Sequence, residues 1–487
     1  MSPRWLGPSS ALVALTLGGT LAAAGVGMLV CTIVAITDGT AIVALAVPGI
    51  ATLALGVAAL VASVSAPHHG LTVSPVAGLL AVTLAWAGAA AAGAVPLLAA
   101  GTFSSPLDAY FEATSGFTTT GATLLADIEA QPDAVLLWRS ITQWLGGVGI
   151  VVLVVAIAPV TGPGVQRAFY AETSGITAER LTPRIIDTAK IIAAIYLALS
   201  VAALAAYAVA GMGAFDALNH SMTTAATGGF STRTDSIAAF DSLPIELVAI
   251  LFMVLGGVNF AFYWRAVRRQ PLMPQGAEVA AFLGILVVAI AAITLSVELA
   301  GDASLRGSAF SVTSIMTSTG YTTADFDAWN QFARVAFLVL MSSGACAGST
   351  VGGIKVIRTV LLAKAARQEL DRQLQPRAVR VLRLGGHTYS EEVRRAVLGF
   401  FLVYVLVYVT GSLAMAMTGV DPVTAISATS SALNIIGPGL GEIGAHESWD
   451  AMPGFGRAVA CVLMITGRLE VFTVVALLAA IFRLRRR

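Results

Sequence analysis

Four short stretches of this chain carry a glycine in the same setting and could supply backbone carbonyl oxygens to a cation. They are Thr119-Thr120-Gly121, Thr227-Gly228-Gly229, Ser318-Thr319-Gly320 and Ile435-Ile436-Gly437. The glycines recur roughly every 90 to 120 residues, a spacing too wide for a solenoid repeat. Glycine permits a positive φ or a close approach of the backbone to a ligand. Four such turns around one axis would form a ring of carbonyls that replaces the water around a potassium ion. We interpret them as an ion selectivity filter.

Each glycine turn follows a short Ser/Thr-rich segment with a hydroxyl six positions before the glycine, at Ser115, Thr223, Ser314 and Ser431. These segments predict half-helices at 106–118, 215–227, 304–317 and 422–434. Their expected N-terminal caps are Ser105-Pro106, Asp216, Asp302 and Asp421-Pro422. Such helices are too short to cross a bilayer, so the non-helical turns after them must face protein or water. Their negative C-terminal ends would point at the filter and favour a cation there.

The composition indicates a protein embedded in a lipid bilayer. Of the 487 residues 57% are hydrophobic and 11% are charged, whereas soluble domains carry about 25% charged residues. The three cysteines show no CxxC spacing and indicate neither a disulfide framework nor a metal site. No catalytic motif is present in the sequence, so we predict neither an enzyme nor a nucleic-acid-binding protein.

The apolar segments predict an all-α polytopic membrane protein. Two spans at 9–37 and 40–64 precede four units, and each unit has a span, a half-helix with its glycine turn, and a second span. The predicted spans are 74–98 and 134–159, 186–211 and 243–266, 277–300 and 331–365, and 394–418 and 452–482. We place the four units around a pseudo-fourfold pore, with boundaries at 1–66, 67–161, 162–270, 271–366 and 367–487. A shared Leu-Gly-Gly-Val at 145–148 and 255–258 supports internal duplication.

The basic residues predict the orientation of the chain. Most Lys and Arg residues outside the termini fall between units, and the basic stretches are 167–190, 265–269, 355–395 and 483–487. Under the positive-inside rule these stretches are cytoplasmic. Both termini are then cytoplasmic, and the glycine turns open to the outside.

The second span of unit three is interrupted by a run of small residues that favours no continuous helix. One interpretation is a tightly packed interface between helices. The other is a broken helix whose loop lies in the pore beneath the filter and acts as a gate. The gate residues would be Gly344, Ala345, Cys346, Ala347, Gly348, Ser349, Thr350, Gly352 and Gly353.

Arg468 lies within the last predicted span, two residues before Glu470, and a charge at that depth suggests a functional role. Arg468 could pair with Glu470, reach an interface, or project into the pore as a barrier to cations beside the loop. Glu112 and His220 occupy equivalent places on the first two half-helices. We interpret them as polar residues that brace the filter.

Six motifs together resemble the TrkH branch of the Trk/Ktr/HKT superfamily of potassium transporters. Four of them are the extended filter stretches 115–123, 226–232, 317–321 and 434–441. The other two are Cys346-Ala-Gly-Ser-Thr-Val-Gly-Gly-Ile-Lys355 and Gly467-Arg-Leu-Glu-Val-Phe472. The resemblance covers essentially the whole chain. It implies that Gly121, Gly229, Gly320 and Gly437 are the filter glycines, that the loop around 344–353 is the gate, and that Arg468 is the pore arginine.

The resemblance also implies a homodimer in the bacterial inner membrane and a cytoplasmic regulatory ring of nucleotide-binding TrkA-type subunits. The fourth turn departs from the pattern because Ile435 and Ile436 replace hydroxyl residues. Family members with serine at the first filter glycine favour sodium, so Gly121 indicates potassium as the permeant ion, with no tightly bound cofactor. We predict inward potassium transport. The alternative is a secondary symporter that couples K⁺ to H⁺ or Na⁺ by alternating access.

Overall fold

The structure is a computed structural model that describes residues 8–64, 75–157, 185–273, 275–301, 304–375, 381–471, 474–475 and 477. Within these ranges six helices are long and apolar enough to cross a membrane, or seven if one bent pair counts as a single span. The predicted all-α polytopic fold is therefore confirmed. The basic stretches 167–184 and 483–487 lie outside the described residues, as do Arg377 and Arg380.

The chain begins with α1 (Pro8–Asp38) and α2 (Ile42–Val64), which match the two predicted leading spans. Glycines allow these helices to pack closely. A Cβ on Gly25 would meet the backbone of Leu53 at 2.6 Å, and one on Gly56 would meet the Ala22 nitrogen at 2.5 Å. Small residues of this kind let membrane helices approach each other at backbone distance.

Each of the four units then begins with a long apolar helix near its predicted position. These helices are α3 (Pro75–Ala99), α6 (Ile185–Val209), α10 (Gln275–Ala300) and α14 (Glu391–Ala416). The half-helices that follow them are 12 residues long in every unit. They are α4 (Pro106–Phe117), α7 (Ala214–Ala225), α11 (Leu305–Met316) and α15 (Pro422–Leu433).

The caps of the half-helices agree with the prediction only in part. The Asp421 side chain accepts hydrogen bonds from the backbone of Val423 and Thr424, as an N-cap does. Ser105 holds the N-cap position without a side-chain hydrogen bond. The prediction for Asp216 is wrong, because the cap is Gly213 and the Asp216 carboxylate instead accepts from Thr232 and Arg233. The prediction for Asp302 is also wrong, because Ser304 holds the N-cap position of α11; Asp302 itself lies outside the described residues.

The second helices of the units differ from one another. Unit one has α5 (Asp133–Ile157). In unit two, α8 (Leu243–Gly257) and α9 (Phe260–Val267) meet at an angle of 91°. The predicted continuous span 243–266 is therefore wrong. A capping hydrogen bond from the Ala261 amide to the Asn259 side chain starts the new helix there.

In unit three, α12 (Gln331–Ser342) and α13 (Val356–Leu374) are separated by the glycine-rich loop, so the predicted interruption of the helix is present. In unit four, α16 (Gly454–Arg468) covers the first part of the predicted span 452–482, and most of the rest of that span lies outside the described residues. A β-hairpin that sequence reasoning missed follows α13. Its strands β1 (Leu382–Leu384) and β2 (His387–Tyr389) are antiparallel.

Candidate functional site

The four glycine turns adopt the same backbone conformation although their side chains differ. The residue two positions before each glycine is left-handed, with φ of 59°, 51°, 48° and 51° at Thr119, Thr227, Ser318 and Ile435. The glycines themselves have φ of 83°, 80°, 81° and 105° at Gly121, Gly229, Gly320 and Gly437. A left-handed residue other than glycine costs roughly 1–3 kcal/mol, and such strain is concentrated at functional sites. The conformation therefore depends on the surroundings of the turns rather than on their side chains.

The four turns are neighbours in a closed order. A Cβ built on each filter glycine would meet the carbonyl oxygen that precedes the filter glycine of the next turn. In chain order the pairs are Gly121 with Gly228, Gly229 with Thr319, Gly320 with Ile436, and Gly437 with Thr120. The last pair returns to the first turn, so the turns form a ring. A cavity of about 270 Å³ adjoins this ring and is lined by all four filter glycines.

A common hydrogen bond holds each turn to the end of its half-helix. The residue before the glycine donates its backbone N–H to the carbonyl of the hydroxyl residue six positions before the glycine. The pairs are Thr120 with Ser115, Gly228 with Thr223, Thr319 with Ser314, and Ile436 with Ser431, at 2.8 to 2.9 Å. This bond uses only backbone atoms, which explains why the fourth turn keeps the conformation with two isoleucines.

The side chains that brace the turns differ from unit to unit. The Gln143 amide donates to the Gly228 carbonyl at 2.5 Å and accepts from the Phe230 amide at 3.1 Å. The Trp449 indole donates to the Gly437 carbonyl at 2.9 Å. Sequence reasoning missed both residues, because neither lies at an equivalent position in the four units.

The two braces that the sequence did predict are charged or polar. Glu112 forms a buried ion pair of 2.9 Å with Arg139. The His220 ring lies 3.0 Å from the Ser231 hydroxyl, two residues after Gly229. The interpretation of Glu112 and His220 as residues that brace the filter region agrees with these contacts.

The glycines of the second helices lie against the half-helices. A Cβ on Gly146 would collide with the Phe117 carbonyl, and one on Gly467 would collide with the Leu433 carbonyl. A Cβ on Gly256 would lie only 2.8 Å from the Thr227 methyl, closer than such contacts allow. The Leu-Gly-Gly-Val repeat therefore has a packing role, because it lets the second helix touch the end of its half-helix.

The two ends of the loop 344–353 are joined by backbone hydrogen bonds. The Gly344 amide donates to the Ile354 carbonyl at 2.8 Å, and the Ile354 amide donates to the Ser342 carbonyl at 3.3 Å. The middle of the loop is bonded to unit two. The Cys346 amide donates to the Gly257 carbonyl, and the Gly348 carbonyl accepts from the Phe260 amide, both at 3.1 Å.

The loop also contacts two of the filter turns. The Thr350 hydroxyl lies 3.0 Å from the Thr227 hydroxyl in the second turn. A Cβ on Gly352 would meet the Ile435 side chain and the Asn434 carbonyl of the fourth turn. The structure therefore brings together the predicted gate loop and the predicted filter.

Arg468 is buried beside the loop. Its guanidinium donates to the Thr350 carbonyl at 2.9 Å and to the Gly146 carbonyl at 2.6 Å. It therefore bonds both to the loop and to the second helix of unit one. Glu470 pairs with Arg358 at 2.5 Å, so the predicted alternative of an Arg468–Glu470 pair is wrong.

Glu278 is a further loop contact that sequence reasoning missed. This carboxylate on α10 is fully buried and accepts a hydrogen bond of 2.6 Å from the Ala347 amide. A glutamate near the start of a predicted span looks like an interfacial residue, so no local pattern marks it as a partner of the loop.

Comparison with known proteins agrees with this geometry. The profile of the TrkH family, described as cation transport proteins, matches residues 49–275 and 272–483. The chain belongs to the TrkH family. The crystal structure of the potassium transporter TrkH from Vibrio parahaemolyticus superposes with a TM-score of 0.85 at 36% identity, and the match covers 96% of this chain and 98% of that one.

Curated relatives give the same result at the level of sequence. The Trk system potassium uptake protein TrkH of Halomonas elongata is 40% identical over 413 residues, 83% of this chain and 85% of that protein. The protein of the same name from Escherichia coli K12 is 37% identical over 414 residues, with the same coverage. The predicted resemblance to the TrkH branch is confirmed, and the TrkH-family chain is a membrane transport protein rather than an enzyme.

Proposed function

We propose that this TrkH-family protein mediates potassium uptake across the bacterial cytoplasmic membrane. The relatives at 37–40% identity are named potassium uptake proteins, and the similarity extends over most of the chain. An inside-negative membrane potential would drive the ion inward, at about 2.3 kcal/mol per charge for each 100 mV.

The observation that carries the proposal is the shared backbone of the four glycine turns around one cavity. Backbone carbonyls at matching places in four turns can replace the hydration shell of K⁺. The proposed filter consists of Thr119, Thr120, Gly121, Thr227, Gly228, Gly229, Ser318, Thr319, Gly320, Ile435, Ile436 and Gly437. The proposal relies on the backbone carbonyl oxygens of these residues as the ligands of the ion.

The loop 344–353 with Arg468 is the proposed gate. Its contacts with Thr227 and Ile435 support a position directly against the filter turns. A positive charge at that place would oppose the passage of cations until the loop moves. We propose the homodimer, the cytoplasmic TrkA-type ring and the cytoplasmic termini on the family resemblance and on the basic stretches. The relatives are named as components of a Trk system.

The alternative proposal is a secondary symporter that couples K⁺ to H⁺ or Na⁺. The unwound segments at Asn259 and at the loop would also suit alternating access. Both proposals are tested by ⁸⁶Rb⁺ flux and current in liposomes that contain the purified protein. A channel-like pore predicts a reversal potential set by K⁺ alone. A shift of that potential when an H⁺ or Na⁺ gradient is imposed would favour the symporter, and an absence of any K⁺-competed ⁸⁶Rb⁺ flux would contradict both.

A further inference from the structure

The ion pair between Glu112 on α4 and Arg139 on α5 is almost completely removed from solvent. The two side chains are 1% and 2% exposed, and Arg139 Nε lies 2.9 Å from Glu112 Oε1. A buried ion pair is weak evidence for stability, because the cost of desolvating both charges offsets their attraction. Packing alone therefore does not explain why two charges lie behind the filter.

The remaining hydrogen bonds of the pair go to the chain directly after two filter glycines. Glu112 accepts from the Thr123 hydroxyl at 2.8 Å and from the Leu124 amide at 3.0 Å. Arg139 donates to the Ser231 carbonyl at 3.1 Å, and its guanidinium carbon lies 4.1 Å from the centre of the Phe230 ring. Thr123 follows Gly121 by two residues, and Phe230 follows Gly229 directly. The pair therefore connects the residues that directly follow Gly121 to the residues that directly follow Gly229.

The other junctions between turns differ from this one. Between units three and four the Asp327 carboxylate accepts from the Gly441 amide at 2.9 Å and pairs with Arg334, but this ion pair is partly exposed. The remaining two junctions are made by neutral groups. The Tyr321 hydroxyl of the third turn lies 2.6 Å from the Thr223 hydroxyl of unit two. Trp449 of unit four donates its indole N–H to Gly437 and its backbone N–H to the Thr123 carbonyl. At the positions equivalent to Glu112 the other units have His220, Ser311 and Ala428, which carry no carboxylate. The four units share a backbone conformation, but among these junctions, in the part of the chain that the structure describes, only that of the first two turns holds an ion pair that is almost completely buried.

We propose that the Glu112–Arg139 pair determines ion specificity by setting the separation of the first and second filter turns. This inference rests on the proposed function of the turns as a potassium filter. An arginine can bond to several acceptors at once through its planar fork. Arg139 donates to Glu112, to the Ser231 carbonyl and, at 3.2 Å, to the Thr123 hydroxyl, so it holds all three in one fixed arrangement. A filter discriminates K⁺ from Na⁺ through the size of its cavity or the field of its carbonyls. A change in the separation of two turns alters both.

The test is the double variant Glu112→Gln with Arg139→Gln, which removes both charges and leaves no single buried charge behind. The readout is the ratio of ⁸⁶Rb⁺ to ²²Na⁺ uptake in liposomes, normalised to monodisperse protein. We expect the ratio of ⁸⁶Rb⁺ to ²²Na⁺ uptake to fall by about threefold or more while Rb⁺ transport continues. The reason is that the separation of the carbonyl oxygens of the first and second turns would no longer be fixed. An unchanged ratio in folded protein would show that the pair serves folding alone.

A second variant covers the case in which the double variant does not fold. Arg139→Lys keeps the charge but lacks the fork that reaches three acceptors, so it should lower the same ratio. A wild-type ratio in Arg139→Lys would overturn the proposal. The matched control is Glu246→Gln with Arg306→Gln, a pair with bonds of 2.8 Å that joins α8 to the start of α11. This control should leave the ratio unchanged.

One further variant separates failure of this inference from failure of the filter assignment. Gly121→Ser acts on the turn itself and should change the ratio if the turns select the ion. If Gly121→Ser changes the ratio but the Glu112/Arg139 double variant and Arg139→Lys do not, only the proposal about the Glu112–Arg139 pair is wrong. If none of these variants changes the ratio, the filter assignment fails together with it.

Discussion

The Arg468 guanidinium donates a hydrogen bond of 2.9 Å to the backbone carbonyl of Thr350. This bond joins the last described helix of unit four to a loop in unit three, 118 residues away in sequence. A second bond from Arg468 reaches the Gly146 carbonyl in unit one. A glycine-rich loop without such a partner would be poorly ordered, because each ordered residue costs about 1–2 kcal/mol of backbone entropy. The arginine gives the loop a fixed position.

The first prediction is that the loop and Arg468 act as one gate. Deletion of residues 345–349 or the substitution Arg468→Ala should each raise ⁸⁶Rb⁺ uptake per folded protein in liposomes, about tenfold for a contact of roughly 1.4 kcal/mol. The combined variant should add little to the larger single effect, because both changes release the same barrier.

The matched control for this gate is Arg306→Ala, which removes an arginine bound to Glu246 instead of to the loop. It should leave uptake near the wild-type rate. If Arg468→Ala lowers uptake, or if the effects of the loop deletion and Arg468→Ala multiply independently, Arg468 is not part of this gate.

The second prediction concerns Gly121. With φ of 83° and the Gly228 carbonyl against its Cα, Gly121→Ser would disturb one quarter of the carbonyl ring. We expect the K⁺ to Na⁺ permeability ratio to fall by about tenfold while the protein stays folded. Gly101→Ser is the control, because Gly101 also has a positive φ, of 74°, but open space around it. Equal ratios in both variants and the wild type would refute the filter assignment of the first turn.

The third prediction is that Glu278 holds the loop through an acceptor atom rather than through its charge. Glu278→Ala removes the acceptor of the buried Ala347 amide, at a cost of about 1–3 kcal/mol. We expect higher ⁸⁶Rb⁺ uptake and a lower Tm for this variant. Glu278→Gln retains an acceptor oxygen and should behave much more like the wild type. Uptake that rises equally in both variants would show that the charge is the essential property.

The fourth prediction concerns the basic stretch after α13. The interpretation without a protein partner is contact with anionic lipid headgroups. The alternative is docking of an acidic cytoplasmic regulator, which the family resemblance favours. Neutralising Arg377, Arg380 and Arg383 should then weaken co-purification with that regulator. Neutralising Arg265, Arg268 and Arg269 in another basic stretch is the control. Full retention of the regulator by the first variant at matched salt would refute the docking interpretation.

Much of the fold could be predicted because membrane spans have long apolar signals and half-helices have a polar, capped pattern. The bend at Asn259 could not, since the apolar run 243–266 continues through it. The Asn259 cap is combined there with a tertiary contact, in which the Gly348 carbonyl of the loop accepts from the Phe260 amide, and that contact has no local sequence signal. The hairpin at Leu382–Tyr389 was missed because its strands are only three residues long, too short for a periodic pattern.

The candidate site could be predicted where the glycine positions repeat. It could not be predicted where the side chains that bond to the filter turns differ from unit to unit. The four turns were found from their spacing. Gln143 and Trp449 bond to filter carbonyls from places that the internal repeat does not mark. Arg468 was found because a charge in an apolar span is conspicuous, whereas its acceptors are backbone carbonyls, which have no sequence signal.

The central claim is that the ring of Gly121, Gly229, Gly320 and Gly437 selects potassium. The most direct measurement is the anomalous density of Rb⁺ in crystals of the protein in which K⁺ has been exchanged for Rb⁺. The account predicts peaks on the axis of the ring, within contact of the carbonyls of the four turns. Rb⁺ density that lies elsewhere in the protein, with none inside the ring, would contradict it.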